Sequence, residues 1–155
     1  MNLSIAYSPC PNDTFIFDAL AHQKIDTEGL TFDIIHGDVE TLNREAMDGN
    51  YDITKLSYHA FAYMSNQYQL LTAGSALGRG CGPLMISKDE IPRSKIEFCL
   101  IGIPGRLTTA NFLMTLAFPE AATKKEMVFN EIENALLNDA IDIGLIIHEN
   151  RFTYI

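Results

Sequence analysis

Short apolar runs alternate with stretches of helical periodicity along almost the whole chain, and this alternation restricts the fold more than any single motif does. Residues 3–7 are apolar and end in a turn cluster, Ser8-Pro9-Cys10-Pro11-Asn12-Asp13. Phe15, Phe17, Leu20 and Ala21 then fit a helix, with Asn12 or Asp13 as its N-cap. Residues 30–35 read as a strand. Residues 39–47 read as a helix capped by Asp38 and stopped by Gly49. A strand over 51–55, a helix over 58–64 after Ser57 and a fourth strand over 69–73 follow. Beyond the glycine-rich segment 74–82 come strands at 84–87, 98–103, 127–129 and 141–147. Helices fill the gaps, one starting at Thr108 or Thr109 and running through Phe118, the other over 130–137. Strands separated by helices imply parallel βαβ units with helices on both faces of each sheet.

Two such runs, on either side of a polar crossover loop at 88–95, predict an α/β protein of two lobes, 1–87 and 88–155. The second lobe is expected to be incomplete. Parallel sheets need both faces covered, and little chain follows Ile147 to cover one. Eleven basic residues against twenty acidic ones leave a net charge of −9. That balance argues against nucleic acid, whose binding rests on Lys and Arg contacts to phosphate, and against anionic membrane surfaces. No apolar run approaches the roughly 18 residues of a membrane span. The N-terminal segment has neither a basic stretch nor a long apolar stretch of the kind that directs export. Three cysteines fit a reducing compartment better than a disulfide framework. The expectation is a cytoplasmic protein with a small-molecule substrate, no nucleic-acid or membrane partner, and a homodimer left open.

In open α/β sheets, ligands bind outside the carboxyl ends of the strands. The loops there are rich in Ser, Thr, Asn, His and Arg, and two lobes presenting them to each other would form a cleft for a small polar ligand. Asn12, Ser57, Arg79, Thr108, Thr109 and His148 are expected to face that cleft. His148 follows the apolar run Gly144-Leu145-Ile146-Ile147. A neutral imidazole at a strand end is a ready general base, or it simply bonds backbone carbonyls; both readings stand on the residues alone. Thr108 and Thr109, after Pro104-Gly105-Arg106, put two hydroxyls and free N–H groups at a helix start. That is an anion site or an ordinary N-cap. Ser57 is equally ambiguous. Lys55 meets either a ligand carboxylate or an acidic neighbour. Gly78-Arg79-Gly80-Cys81-Gly82 matches neither phosphate-loop pattern and instead allows a tight reversal that brings Arg79 close to a ligand. Cys10 and Cys81 lie in loops, Cys99 in a buried strand. No cysteine or histidine pair has metal-ligand spacing, so no metal is expected.

Several segments carry a more specific resemblance. They are residues 8–17, 38–43 and 54–57, then Ala76-Leu77-Gly78-Arg79-Gly80, residues 103–110, and Gly144-Leu145-Ile146-Ile147-His148-Glu149-Asn150-Arg151-Phe152-Thr153-Tyr154. In order and across essentially the whole chain, they resemble the 1,4-dihydroxy-6-naphthoate synthases of the futalosine route to menaquinone. The resemblance implies the type II periplasmic-binding-protein fold used by a cytoplasmic enzyme. It implies a carbon–carbon lyase that needs no cofactor and converts cyclic dehypoxanthine futalosine to 1,4-dihydroxy-6-naphthoate. His148 is then the expected base, with Ser57, Thr108 and Thr109 holding the ligand. Members of that family run further than Ile155, and their C-terminal part completes the second lobe. Chorismate dehydratase, on the same fold in the same pathway, is the nearest alternative enzyme; a binding protein for a small organic anion is the non-catalytic one.

Overall fold

The N-terminal apolar run forms the central strand of a three-stranded sheet in the computed structural model, which describes residues 1–80 and 82–147. This strand, β1 (Asn2–Tyr7), pairs in parallel with β2 (Thr31–His36) along its whole length, from Asn2 opposite Thr31 to Tyr7 opposite His36. On its other side it pairs in parallel with β3 (Ile53–Thr54). Between the strands run α1 (Pro11–Ala21) and α2 (Val39–Met47), and α3 (Tyr58–Met64) follows β3. As expected, Asp38 caps α2, accepting from the Glu40 and Thr41 amides at 3.0 and 3.2 Å. The helix packs Leu42 against Ala6 and Tyr51 in the sheet core. The first helix starts one residue before the expected caps: Cys10 is its N-cap and Pro11 its first residue. Proline suits that position because its missing N–H has no intrahelical partner there.

The chain divides into two units, Met1–Leu77 and a second that starts at Gly78. The division falls ahead of the expected 87/88 boundary because β4 (Leu84–Ile86) belongs to the second sheet, where it pairs antiparallel with β7 (Ile143–Ile146). That sheet has the order β4-β7-β5-β6, with β5 (Ile101–Ile103) and β6 (Lys124–Glu126). The β5–β7 and β5–β6 pairs are parallel. Helix α4 (Thr109–Ala117) follows β5 and α5 (Ile132–Leu137) precedes β7. Successive residues of β7 point to opposite faces, as strand geometry requires. Ile143 and Leu145 join Ile101, Ile103, Ala110 and Met114 in one core, while Ile146 joins Ile132, Leu136 and Ile141 in another. Gly144 lies on the Ile132 side, where a Cβ would come within 2.6 Å of the Ile132 Cγ2.

Three sequence expectations are corrected. Residues 69–73 form no strand: Leu70 and Leu71 are 50% and 69% exposed, and no described residue pairs with the segment. The expected strand at 127–129 lies three residues earlier, at Lys124–Glu126, with a 3-10 turn over Phe129–Glu131. Among the described residues it is an edge strand of the second sheet, where charged side chains are favoured over apolar ones because they discourage further pairing. Within 88–103, a 3-10 turn occupies Arg93–Phe98, and the strand is confined to Ile101–Ile103.

Candidate functional site

In the first unit, the loops leaving the carboxyl ends of β1 and β3 are tied together by one carboxylate. Asp13, in the first turn of α1, is buried. Its Oδ2 accepts from the Ser8 hydroxyl at 2.9 Å and the Ser8 amide at 3.2 Å, and its Oδ1 lies 2.7 Å from the Lys55 ammonium. Lys55 itself continues the strand pairing by donating its amide to Ala6 O at 2.8 Å. Its ammonium therefore meets an acidic neighbour, the plainer of the two alternatives open from sequence.

Ser57 stands one turn further on, as the N-cap of α3, yet its hydroxyl makes no cap bond. It is held from behind by Asn43 of α2, whose side chain is fully buried. Asn43 Oδ1 accepts the Ser57 amide at 2.9 Å, and its Nδ2 donates to the Ser57 Oγ at 3.2 Å. Asn12 is exposed on the first turn of α1. At the ends of β1 and β2, the Tyr7 ring stacks on Phe17 at 4.6 Å and meets His36 edge-on at 4.9 Å. Burial raises the Tyr7 phenol above its usual range, with Asp13 and Asp18 adding to the effect. An open groove between α1 and β2 is lined by Tyr7, Phe15, Asp18, His22, Ile34 and His36 among others.

In the second unit, the turn after β5 carries the two threonines. Gly105 has φ +143°, a backbone region that favours glycine. Thr108 is the N-cap of α4: its hydroxyl donates to Gly105 O at 2.7 Å and accepts the Asn111 amide at 3.2 Å. Thr109 is the first helical residue and is half-buried. Arg106 turns outward to Glu126, with Nε 2.8 Å from Oε1. Lys124 reaches Asn111 Oδ1 at 3.0 Å and the Thr115 hydroxyl at 2.6 Å, and burial, with Arg106 nearby, lowers its pKa. Arg79 is exposed, next to Gly80 with φ +64°. His148 lies outside the described residues, as does Cys81. Burial and the Asp142 charge raise the Cys99 thiol, which donates to Lys95 O; that makes it a core group rather than a reactive one.

Sequence reasoning did not single out Asp13 as a brace or Asn43 at all. Asn43 did leave a signal, since it sits beside Leu42 and one turn before Ala46 on the buried face of α2. Among the described residues, no group of three His, Cys, Asp or Glu side chains is placed to hold a metal ion, and no helix is long and apolar enough to cross a membrane.

The chain matches the menaquinone biosynthesis family over residues 3–155. It is 42% identical over 152 residues to the 1,4-dihydroxy-6-naphthoate synthase of Thermus thermophilus, covering 98% of this chain and 54% of that enzyme. A crystal structure of a protein from Archaeoglobus fulgidus superposes with a TM-score of 0.91 at 40% identity, covering 99% of this chain and 56% of the other. The periplasmic aliphatic sulphonate binding protein of Escherichia coli shares the fold, with a TM-score of 0.59 at 10% identity over 98% of this chain and 52% of that one. The chain thus spans about half the length of the relatives it matches. The fold is that of the periplasmic binding proteins, and the match over residues 3–155 places this chain in the menaquinone biosynthesis family.

Proposed function

We propose that this chain acts as a 1,4-dihydroxy-6-naphthoate synthase, a carbon–carbon lyase that converts cyclic dehypoxanthine futalosine to 1,4-dihydroxy-6-naphthoate in the cytoplasm. The observation that carries the reading is the 42% identity to the Thermus thermophilus synthase across 98% of this chain. In this reading, His148 removes a substrate hydroxyl proton. The resulting alkoxide collapses to a carbonyl as the adjacent carbon–carbon bond breaks, in a retro-aldol-like step, and the fragment that carried the hydroxyl leaves as that carbonyl compound. The electrons pass into the ring system, which becomes aromatic, so aromatisation drives the reaction. What the protein must supply is a base, orientation and stabilisation of developing negative charge. Ser57 donates to a substrate oxygen. Thr109 and the amides of the first turn of α4 bind a substrate carboxylate, with Thr108 fixing the turn that presents them. Asn12 and Arg79 complete the polar contacts, while Lys55, paired with Asp13, holds the loops after β1 and β3 together.

The test is to incubate the purified chain with cyclic dehypoxanthine futalosine and, in parallel, with chorismate, and to follow both by chromatography and mass spectrometry. Release of 1,4-dihydroxy-6-naphthoate is expected. Dehydration of chorismate instead would assign the sister activity, and tight binding without turnover would make the chain a binding protein.

A further inference from the structure

The Asn43 side chain fixes more than the position of Ser57. We infer that Asn43 is a positioning residue that sets the direction of the Ser57 hydroxyl, turning its proton toward an oxygen of the substrate. The inference rests on the reading above for the identity of the ligand, though not for the geometry.

A backbone N–H can only donate, so the Asn43 atom 2.9 Å from the Ser57 amide must be the carbonyl oxygen. The amide group cannot then be flipped, and the atom 3.2 Å from the Ser57 Oγ is the nitrogen. An amide nitrogen donates and does not accept. The Ser57 oxygen is therefore the acceptor in this contact, and its own proton must point elsewhere. A serine at an N-cap ordinarily accepts from the first turn of its helix; Ser57 makes no such bond. Nor does its O–H meet an acceptor among the described residues.

The amide is itself held. The Asn43 Nδ2 also lies 3.4 Å from the Glu40 Oε2, and Glu40 is fixed by Arg44, with Nε 3.3 Å from Oε1. Asn43 is fully buried and Glu40 is 8% exposed, so water has little access to the bond between them. A buried, fully satisfied amide is a rigid element, and it occupies one lone pair of the Ser57 oxygen, so that the hydroxyl proton points away from Asn43. A donor of fixed direction suits a carboxylate, carbonyl or developing alkoxide.

Two measurements decide it. The first is the affinity of the unaltered chain, Asn43→Asp, Ser57→Ala and the double variant for 1,4-dihydroxy-6-naphthoate, read by calorimetry. In Asn43→Asp the introduced carboxylate still accepts the Ser57 amide but, when ionised, can no longer donate to Oγ, so the hydroxyl turns back to it. Loss of one hydrogen bond to a charged group corresponds to roughly 10–100-fold in affinity. Each single variant is expected to lose that much, and the double no more than Ser57→Ala alone. Additive losses, or an unchanged Asn43→Asp, would overturn the inference. The second measurement needs no ligand and so separates this inference from the functional reading. In Ser57→Cys, an Asn43 donor stabilises the thiolate and lowers its pKa. The pH midpoint of alkylation at position 57, followed by peptide mass, should rise when Asn43→Ala is added. Faster alkylation with an unmoved midpoint would show only loosened structure and would overturn the donor role. Failure of the unaltered chain to bind naphthoate, with the midpoint shift intact, counts against the functional reading alone.

Discussion

The Lys55 ammonium lies 2.7 Å from a carboxylate oxygen of Asp13, whose other oxygen accepts both the amide and the hydroxyl of Ser8. One carboxylate thus joins the first turn of α1 to the carboxyl ends of β1 and β3. The pair is largely withdrawn from water, with side chains 11% and 21% exposed. Removing one member leaves the other charge poorly compensated, a larger loss than for a surface pair.

Asp13→Asn should therefore destabilise the first unit by about 2 kcal/mol, below the ~3–5 kcal/mol of a fully buried pair because Lys55 retains some solvent. Adding Lys55→Met should recover part of the loss, since it removes the orphaned cation. Urea midpoints of the two single variants and the double would measure this. Equal, additive losses would show that the two groups act independently.

A second prediction concerns the close approach of α5 to the second sheet. Gly144 faces Ile132, and a Cβ there would stand 2.6 Å from the Ile132 Cγ2 and 3.3 Å from the Ile86 Cγ1. Ile132 has little room to withdraw, because it is fully buried. Gly144→Ala should cost ~1–3 kcal/mol as overpacking. Ile132→Ala, which removes the Cγ2, should destabilise on its own as a core truncation but lessen the cost of Gly144→Ala when the two are combined. A Gly144→Ala variant with unchanged thermal stability would contradict the packing described.

These two sites also mark how far the sequence was readable. The buried strand around Gly144 and the Asp38 cap of α2 were legible, because each depends on local pattern: an apolar run in one case, a side chain two and three residues from the amides it bonds in the other. The edge strand at Lys124–Glu126 was not, because its pairing with Ile101–Ile103 comes from the sheet and its own residues are charged. Residues 69–73 look like a strand and lack a partner among the described residues. At the candidate site, Ser57, Thr108 and Lys55 could be singled out from their places after strands. The Thr108 partner, Gly105, is local, three residues back in the same turn, whereas Asn43 and Asp13, the partners of Ser57 and Lys55, follow from how helices and strands are juxtaposed. Only Asn43, a polar residue on an apolar helix face, announced itself in the pattern.

Asp52 contributes to the pH dependence of the first unit. The Asp52 carboxylate accepts the Ser4 amide at 2.8 Å and the Ser4 hydroxyl at 2.9 Å, and these bonds hold its pKa below the usual range. A carboxyl with a depressed folded pKa binds fewer protons than in the unfolded chain. Its contribution is complete above the unfolded value of about 4 and is lost as pH falls through the folded value. The stability gap between the unaltered chain and Asp52→Asn should be constant near neutrality and close under acid. Urea midpoints taken across the acid range would show it; a gap that widens on acidification would reverse the sign.

For His148 the proposed role makes a kinetic prediction. A general base typically contributes ~10²–10⁴-fold to rate. His148→Asn should lower kcat by about that factor and leave KM for cyclic dehypoxanthine futalosine nearly unchanged, because the lost interaction operates in the transition state. A raised KM with kcat retained would make His148 a binding residue and remove it from the chemistry.

The adjacent threonines at the start of α4 should separate cleanly by variant. Thr108 spends its hydroxyl on the fold, donating to Gly105 O and capping the Asn111 amide, and it is 2% exposed. Thr109 is half-buried and already helical, outside the cap. Loss of a Thr cap costs about 1 kcal/mol, up to ~2 kcal/mol in demanding hosts. Thr108→Ala should therefore lower thermal stability by that amount, with Thr108→Ser recovering most of it because serine supplies the same oxygen. Thr109→Ala should barely change stability, since alanine is the better helix former. If Thr109 contacts the substrate carboxylate as proposed, that variant should instead weaken binding of 1,4-dihydroxy-6-naphthoate by roughly tenfold, the equivalent of about 1.4 kcal/mol. Thermal melts and calorimetry on the same three proteins give both readings. A Thr109→Ala variant that keeps full affinity would remove Thr109 from the ligand contacts while leaving the Thr108 cap intact.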